Sequence, residues 1–197
     1  MGEGRLEGLH LGEIIQQMKK AAGEGYKNSI TEKQLGVYAQ VGFLWETAAE
    51  YMTAGLPLEE AMDVAFKRQM VHSNSLAKQV KVAKEGIHMT PDSFDAERGE
   101  LISYKATWRS FKKAATQADF EQNFWAWVTQ EAAYAYALGV DTATWVVLWV
   151  CGDYTGAKQP IAMQARATWT AEELAENWRV VTEHAKSLDN SSLGPIL

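Results

Sequence analysis

The spacing of apolar and polar positions predicts that the first part of the chain is helical. In "TEKQLGVYAQVGFLWETAAEYMTAG" apolar residues recur at helical intervals, which predicts a helix over 31–54. An earlier helix is predicted over residues 8–22. A third helix is predicted to begin in "LPLEEAMDVAFKRQMV", with Pro57 in its first turn. Residues 73–84 are ambiguous between helix and strand.

The pattern then changes to short segments rich in β-forming residues. "EGIHMTPDSFD" and "GELISYKATW" are separated by "AERG", which predicts a hairpin. A long helix follows over about 119–138, ended by Gly139, and then come two strands, "TATWVVLWVC" and "IAMQARATW". A capping box of Thr170 and Glu173 opens the final helix, "TAEELAENWRVVTEHAKSL". This order of elements predicts an α/β protein in which helices cover a mixed sheet.

Length and composition indicate one soluble domain. The 197 residues, 47% hydrophobic and 22% charged, are typical of one globular unit. We expect a mainly helical segment over 1–84, a sheet core with flanking helices over 85–188, and a loose tail over 189–197. No apolar run is as long as the ~20 residues of a membrane helix, and the start of the chain lacks the apolar stretch of a secretory signal. The single cysteine, Cys151, excludes an internal disulfide. From the missing apolar run we expect no membrane partner, and we expect a cytoplasmic protein.

Charge along the chain is uneven. The net charge of −6 argues against a protein that coats nucleic acid without specificity. Positive residues nevertheless concentrate in the middle of the chain, either as solvated helix faces or as a local path for DNA. They are Lys67, Arg68, Lys78, Lys81, Lys84, Lys105, Arg109, Lys112 and Lys113.

Acidic and basic residues near the predicted hairpin could form a phosphodiester-cleaving site. Asp92 follows Pro91, and Lys105 stands thirteen residues later near the end of the next strand. Ser103 lies on the same face as Lys105 because side chains alternate along a strand, whereas Glu100 lies on the other face. Carboxylates would hold Mg²⁺, and the lysine would orient or deprotonate a water molecule. The alternative is that Asp92 caps a turn and Lys105 is a surface lysine.

Two helices carry further candidates. Gln130 and Tyr134 are four residues apart and therefore share one helix face, where they could contact a phosphate. Glu46 follows the apolar stretch 43–45 and needs a partner such as a metal, a lysine or an amide. Core packing of Tyr134 and a helix-edge salt bridge of Glu46 are the alternatives.

Taken in this order, these motifs resemble the PD-(D/E)XK nuclease superfamily, in particular its RecB-like branch, which includes phage exonucleases. That family has a Gly-x-x-x-Glu helix, then Pro-Asp, then acid-x-Lys, then a Gln-x-x-x-Tyr helix followed by a strand. The matching residues, within roughly 35–185, are Gly42 with Glu46, Pro91 with Asp92, Lys105, and Gln130 with Tyr134. The resemblance implies a restriction-endonuclease-like mixed sheet flanked by helices, with an N-terminal helical segment. It also implies a Mg²⁺- or Mn²⁺-dependent DNA nuclease, an exonuclease in phage or mobile-element DNA processing.

The resemblance assigns roles residue by residue. The implied metal-binding positions are Glu46, Asp92, Ser103 and the main-chain carbonyl of Tyr104. The implied catalytic positions are Asp92, Ser103, Lys105, Gln130 and Tyr134. The implied DNA contacts are Arg109, Lys112 and Lys113 with the backbone and Trp108 with an unpaired base. The implied partners are DNA, a recombination or single-strand annealing protein, and further copies of the chain.

Ser103 departs from the family, which has an acid at this position. A serine hydroxyl is neutral and replaces a carboxylate poorly on Mg²⁺. Three explanations are open. Ser103 is an inactivating substitution, and Ser103→Glu would then raise cleavage; or Glu46, Glu50 or another shifted acid supplies the charge; or the protein binds DNA without cutting it. A fourth reading is a structural or interaction protein that retains only the fold.

Overall fold

Helices and two mixed sheets make up the described part of the chain, which in this computed structural model is residues 9–24, 32–71, 81–153 and 160–192. The helices are α1 (Leu11–Ala21), α2 (Glu32–Thr53), α3 (Leu58–Val71), α4 (Gln117–Asn123), α5 (Trp125–Leu138) and α6 (Ala171–Ser192), with a 3-10 turn at Phe111–Ala114. The strands are β1 (Leu9–His10), β2 (Val82–Lys84), β3 (Ile87–Met89), β4 (Ser93–Asp95), β5 (Glu100–Thr107), β6 (Thr142–Trp149) and β7 (Ile161–Thr168). The predicted α/β class with a mixed sheet is confirmed.

The larger sheet has the strand order β4-β5-β6-β7. β4 and β5 form the predicted antiparallel hairpin, β5 and β6 are parallel, and β7 returns antiparallel to β6. A parallel pair needs a crossover connection, and α4 with α5 supply it between β5 and β6. The smaller sheet has the order β1-β3-β2, with β1 parallel and β2 antiparallel to β3.

The two faces of the larger sheet are covered by different helices. Side chains alternate along a strand, so Leu101 and Trp145 face the main core with α1, α5 and α6. Tyr104 faces the other side and packs against Trp45 of α2. The Trp45 indole Nε1 donates a hydrogen bond to the Val146 carbonyl at 3.1 Å, which fixes α2 on the sheet. Helices α2 and α5 therefore approach β5 from opposite faces.

The start of the first helix differs from its prediction. The helix predicted over 8–22 begins at Leu11, because Leu9 and His10 form β1 and pair with Ile87 and His88. Apolar spacing within this segment cannot report a strand partner nearly eighty residues away. The helix predicted over 31–54 is confirmed as α2 over its described residues.

The long helix predicted over 119–138 is divided in two at Phe124. Phe124 has φ −123° and ψ 28°, outside the helical region, and ends α4 before α5 begins. Its ring is buried and stacks on Phe120 and Trp127. The break therefore coincides with a buried aromatic cluster and is one backbone conformation, at Phe124, that the apolar spacing does not reveal.

The segment before the hairpin and the last helix also differ in detail. "EGIHMTPDSFD" contributes two short strands, β3 and β4, while the ambiguous 73–84 segment contains β2. The capping box is confirmed: Glu173 Oε2 accepts from the Thr170 amide at 2.8 Å, and Thr170 Oγ1 accepts from the Glu173 amide at 3.2 Å. Helix α6 continues to Ser192, into the tail predicted to be loose, because Leu188 still packs against the core. Lys78 and residues 193–197 lie outside the described residues.

Over the described ranges, none of the helices combines the length and the apolar character needed to cross a bilayer.

Candidate active site

Asp92 lies beside the open edge of strand β5. β4 pairs with β5 only as far as Ile102, and among the described residues no other strand pairs with the next residues of β5 on that side. Asp92 Oδ2 instead accepts hydrogen bonds from the Tyr104 amide at 2.9 Å, the Ser103 hydroxyl at 3.1 Å and Lys105 Nζ at 3.4 Å. These three donors fix the orientation of the Asp92 carboxylate, and Asp92 and Lys105 meet as the sequence predicted.

Lys105 is a mostly buried ammonium between two carboxylates. Its Nζ lies 3.4 Å from Asp92 Oδ2 and 3.8 Å from Glu131 Oε1, and the Lys105 side chain is 17% exposed. Burial opposes the charge, but the nearby Asp92 and Glu131 carboxylates outweigh it and raise the pKa of Lys105 above its ordinary value. Lys105 is therefore protonated at neutral pH and acts as a hydrogen-bond donor and a positive charge.

Glu131 of α5 was not among the predicted site residues. It is 1% exposed, and neither of its carboxylate oxygens has a hydrogen-bond partner. Burial is the largest cause that raises the pKa of Glu131 to about 7; Asp92 adds to the shift and Lys105 opposes it. The sequence held a signal for it, because Glu131 is the one charged residue in the fourteen residues of α5. An isolated acid in an apolar helix needs a partner, as does Glu46 in α2.

Glu46 reaches the site from α2, on the opposite face of the sheet. It is half-buried and follows Trp45, whose indole holds α2 against β6. Burial raises the pKa of Glu46 to about 7, with further contributions from Asp92 and Glu50, whereas Lys105 lowers it. The Glu46 carboxyl therefore lies within the electrostatic field of Asp92 and Lys105, and its role as a metal ligand stays a prediction.

Gln130 and Tyr134 form a pair on one face of α5, as predicted. Gln130 Nε2 donates to the Tyr134 hydroxyl at 3.1 Å. Burial raises the pKa of Tyr134 above its ordinary value, and a hydrogen bond with the backbone of Thr90 opposes this shift. Because Thr90 directly precedes Pro91 and Asp92, the pair braces the turn that carries the aspartate. Their contact with lysine or DNA stays a prediction.

The residues predicted to contact DNA follow directly after β5. Arg109 Nη1 donates to the Asn123 carbonyl at 2.8 Å, and its guanidinium lies 5.4 Å from the centre of the Phe124 ring. Lys112 Nζ lies 3.8 Å from an Asp153 carboxylate oxygen. Lys113 is exposed and Trp108 is half-buried. All three cations are exposed, and Arg109 and Lys112 each have an intramolecular partner.

The oxygen donors of the site suit a hard divalent cation. Asp92 and Glu131 both lie within 4 Å of the Lys105 ammonium, and Glu46 senses the same charges. The N–H and C=O of one strand residue point to the same edge, so the Tyr104 carbonyl also faces the Asp92 side. Among the described residues, no three His, Cys, Asp or Glu side chains are already grouped as metal ligands. Mg²⁺ commonly uses one or two carboxylates, waters and substrate phosphates, which this donor set can supply if Lys105 moves aside.

The structure thus defines an α/β protein with an acid–lysine cluster at the open edge of a mixed sheet. No protein-family model and no curated protein matches the chain. Among solved structures, a phage-related exonuclease from Haemophilus somnus 129PT aligns at 13% identity and a TM-score of 0.42, covering 92% of this chain and 93% of the other. An alkaline exonuclease from Laribacter hongkongensis aligns at 13% identity and a TM-score of 0.44, covering 95% and 90%. At this level of similarity, a function for this chain has to rest on the site itself.

Proposed function

We propose that this chain is a metal-dependent DNA nuclease of the PD-(D/E)XK type. The observation that carries the proposal is the meeting of Asp92, Lys105 and Glu131 at the open edge of β5, with Glu46 close enough to sense their charges. Ionisable groups whose pKa values are shifted by burial and by neighbouring charges, as those of Glu46 and Glu131 are, occur often at catalytic sites. The motif order, which resembles the phage exonuclease branch, favours an exonuclease in phage or mobile-element DNA processing.

Each residue has a part that follows from its contacts. The Tyr104 amide and the Ser103 hydroxyl hold Asp92 in one orientation. A divalent cation, when bound, would offset the phosphate charge and lower the pKa of the attacking water. Lys105, whose pKa is raised, keeps its proton and donates a hydrogen bond to that water or to a phosphate oxygen. Lysine therefore orients the nucleophile in this proposal, rather than removing its proton.

Cleavage of end-labelled linear DNA, with closed-circular DNA alongside, tests the proposal. We expect Mg²⁺ or Mn²⁺ to support shortening of linear DNA, EDTA to stop it, and closed circles to stay intact. Asp92→Asn and Lys105→Ala should abolish cleavage, whereas Glu172→Gln and Lys186→Ala, matched charge changes at exposed positions of α6, should not. Equal cleavage by the wild type and both site variants would contradict the assignment.

Ser103 supports a second candidate, a non-catalytic DNA-binding relative. This candidate predicts salt-sensitive DNA binding that Mg²⁺ leaves unchanged, and no cleavage by any variant. Filter binding at several salt concentrations, run beside the cleavage assay, separates the two functions.

A further inference from the structure

Glu131 is a buried acid that the family's strand motif does not use. Both of its oxygens lack a hydrogen-bond partner, and Lys105 Nζ lies 3.8 Å from Oε1. An ionised carboxylate is costly to bury unless it is paired and hydrogen-bonded. The rest of α5 is made of apolar and neutral polar residues, so nothing in the packing of this helix requires an acid at this position.

Glu131 reaches the same face of β5 as Ser103 and Lys105. Ser103 is completely buried on this face, and its hydroxyl donates to Asp92, the other acid beside Lys105. The neighbouring Ala132 and Ala133 are buried in the main core, which also contains Leu101 of β5. A longer acidic side chain at position 103 would extend toward α5, into the space beside Lys105 that the Glu131 carboxylate occupies.

Other acids near Ser103 do not fit this place. Glu100 faces the opposite side of β5, where it accepts a hydrogen bond from Thr144 at 2.5 Å and lies 3.4 Å from Arg166 Nε. Glu46 comes from α2, which covers that opposite face. Of these three described glutamates, Glu131 is therefore the one that lies on the face of β5 shared by Ser103 and Lys105.

We propose that Glu131 supplies, from helix α5, the second carboxylate of the divalent-cation site, and that Ser103 is small because Glu131 reaches over it. This inference rests on the proposed function. Asp92 and Glu131, which lie on either side of Lys105, would then be the two acids that hold the cation. The chain is an active arrangement of the site with its acid relocated, not one that lacks an acid.

An exchange of the two side chains tests the relocation. Mn²⁺ binding is measured by calorimetry without DNA on the wild type, Glu131→Gln, Ser103→Glu, and the double variant Ser103→Glu/Glu131→Ser. Loss of an outer-shell partner typically costs about 10–100-fold in metal affinity, so loss of a ligand in Glu131→Gln should cost at least about tenfold. Ser103→Glu alone should not strengthen binding, because two acids would crowd one space. The double variant, which only exchanges the residues, should recover most of the lost affinity and of the cleavage.

Glu100→Gln is the matched control, since it removes a carboxylate from the opposite face of β5 and should leave Mn²⁺ affinity unchanged. If Glu131 is only a counterion that positions Lys105, Glu131→Gln will bind Mn²⁺ as the wild type does, and the exchange will recover nothing. That result, together with loss of binding in Asp92→Asn, would overturn the relocation and keep the nuclease. Absence of both Mn²⁺ binding and cleavage in the wild type would remove the proposed function, and this inference with it. Urea unfolding in EDTA identifies any variant that fails to fold, and the exchange variant then provides the deciding measurement.

Discussion

Removal of the Lys105 charge should destabilise the protein by an amount that grows with pH. Lys105→Met keeps much of the aliphatic side chain but leaves Glu131 buried without its cation. Removing one partner of a buried ion pair typically costs about 3–5 kcal/mol. Here the cost should be smaller near neutral pH, because the pKa of Glu131 is already about 7 and the carboxylate can take up a proton.

The direction follows from proton linkage. The folded-state pKa of Glu131 is raised above its ordinary value of 4.5, so the unfolded state releases its proton first and rising pH favours unfolding. In the wild type, Glu131 therefore lowers the free energy of unfolding as the pH rises from about 4.5 to about 7. Without Lys105 the folded pKa rises further, so the variant goes on losing stability above pH 7, at up to about 1.4 kcal/mol per pH unit. Between pH 7 and pH 9 the extra destabilisation should reach about 2–3 kcal/mol.

Urea unfolding in EDTA at pH 6, 7, 8 and 9, followed by tryptophan fluorescence, measures this effect. In a Glu131→Gln background, the destabilisation caused by Lys105→Met should depend much less on pH. The dependence that remains comes from Glu46, whose pKa Lys105 also lowers. A Lys105→Met destabilisation of equal size at pH 6 and pH 9 would refute the reasoning, since Glu131 would then not depend on Lys105 to stay ionised.

Two further changes test how the site is positioned and how it meets DNA. Trp45→Phe should lower the free energy of unfolding by about 0.5–1.5 kcal/mol through the lost hydrogen bond from the indole to the partly buried Val146 carbonyl. Urea unfolding should show a smaller loss for Trp178→Phe, since the buried Trp178 indole nitrogen has no hydrogen-bond partner to lose. Lys113→Ala should weaken DNA binding similarly for all DNA sequences and reduce the slope of log affinity against log salt concentration by about one. Fluorescence anisotropy measures this slope, with Lys186→Ala as the control. An unchanged slope would show that Lys113 does not contact DNA.

The part of the site carried by the hairpin was predictable from sequence. Asp92 and Lys105 lie on adjacent parts of one local unit, and strand alternation puts Lys105 and Ser103 on one face. The Gln130–Tyr134 contact was predictable for a similar reason, since residues four apart on a helix are neighbours. These predictions needed only the geometry of a single strand or helix.

Other features depended on contacts between distant segments. The division at Phe124 is a backbone conformation at a buried aromatic residue, and β1 exists because Leu9 pairs with Ile87. Helix α5 has apolar residues on every side, so its sequence does not show which face meets the sheet. The position of Glu131 therefore could not be read from α5 alone, although its isolation among apolar residues marked it as a residue needing a partner.

The strand lacks an acid at position 103, but the structure places the carboxylate of another residue, Glu131, beside the same strand. A linear motif specifies where an acid occurs along the chain, whereas a cation responds only to where the carboxylate lies in space. The open edge of β5 can be reached from both faces, by Glu46 on α2 and by Glu131 on α5, because these helices pack on opposite sides of the sheet. A small buried residue at position 103 leaves space on the α5 face, and Glu131 brings a carboxylate to within ion-pair distance of Lys105 there. The same charge can therefore be present at the site without an acid at position 103, which is why Glu131, rather than Ser103, is the residue whose substitution should decide whether the site binds a metal ion.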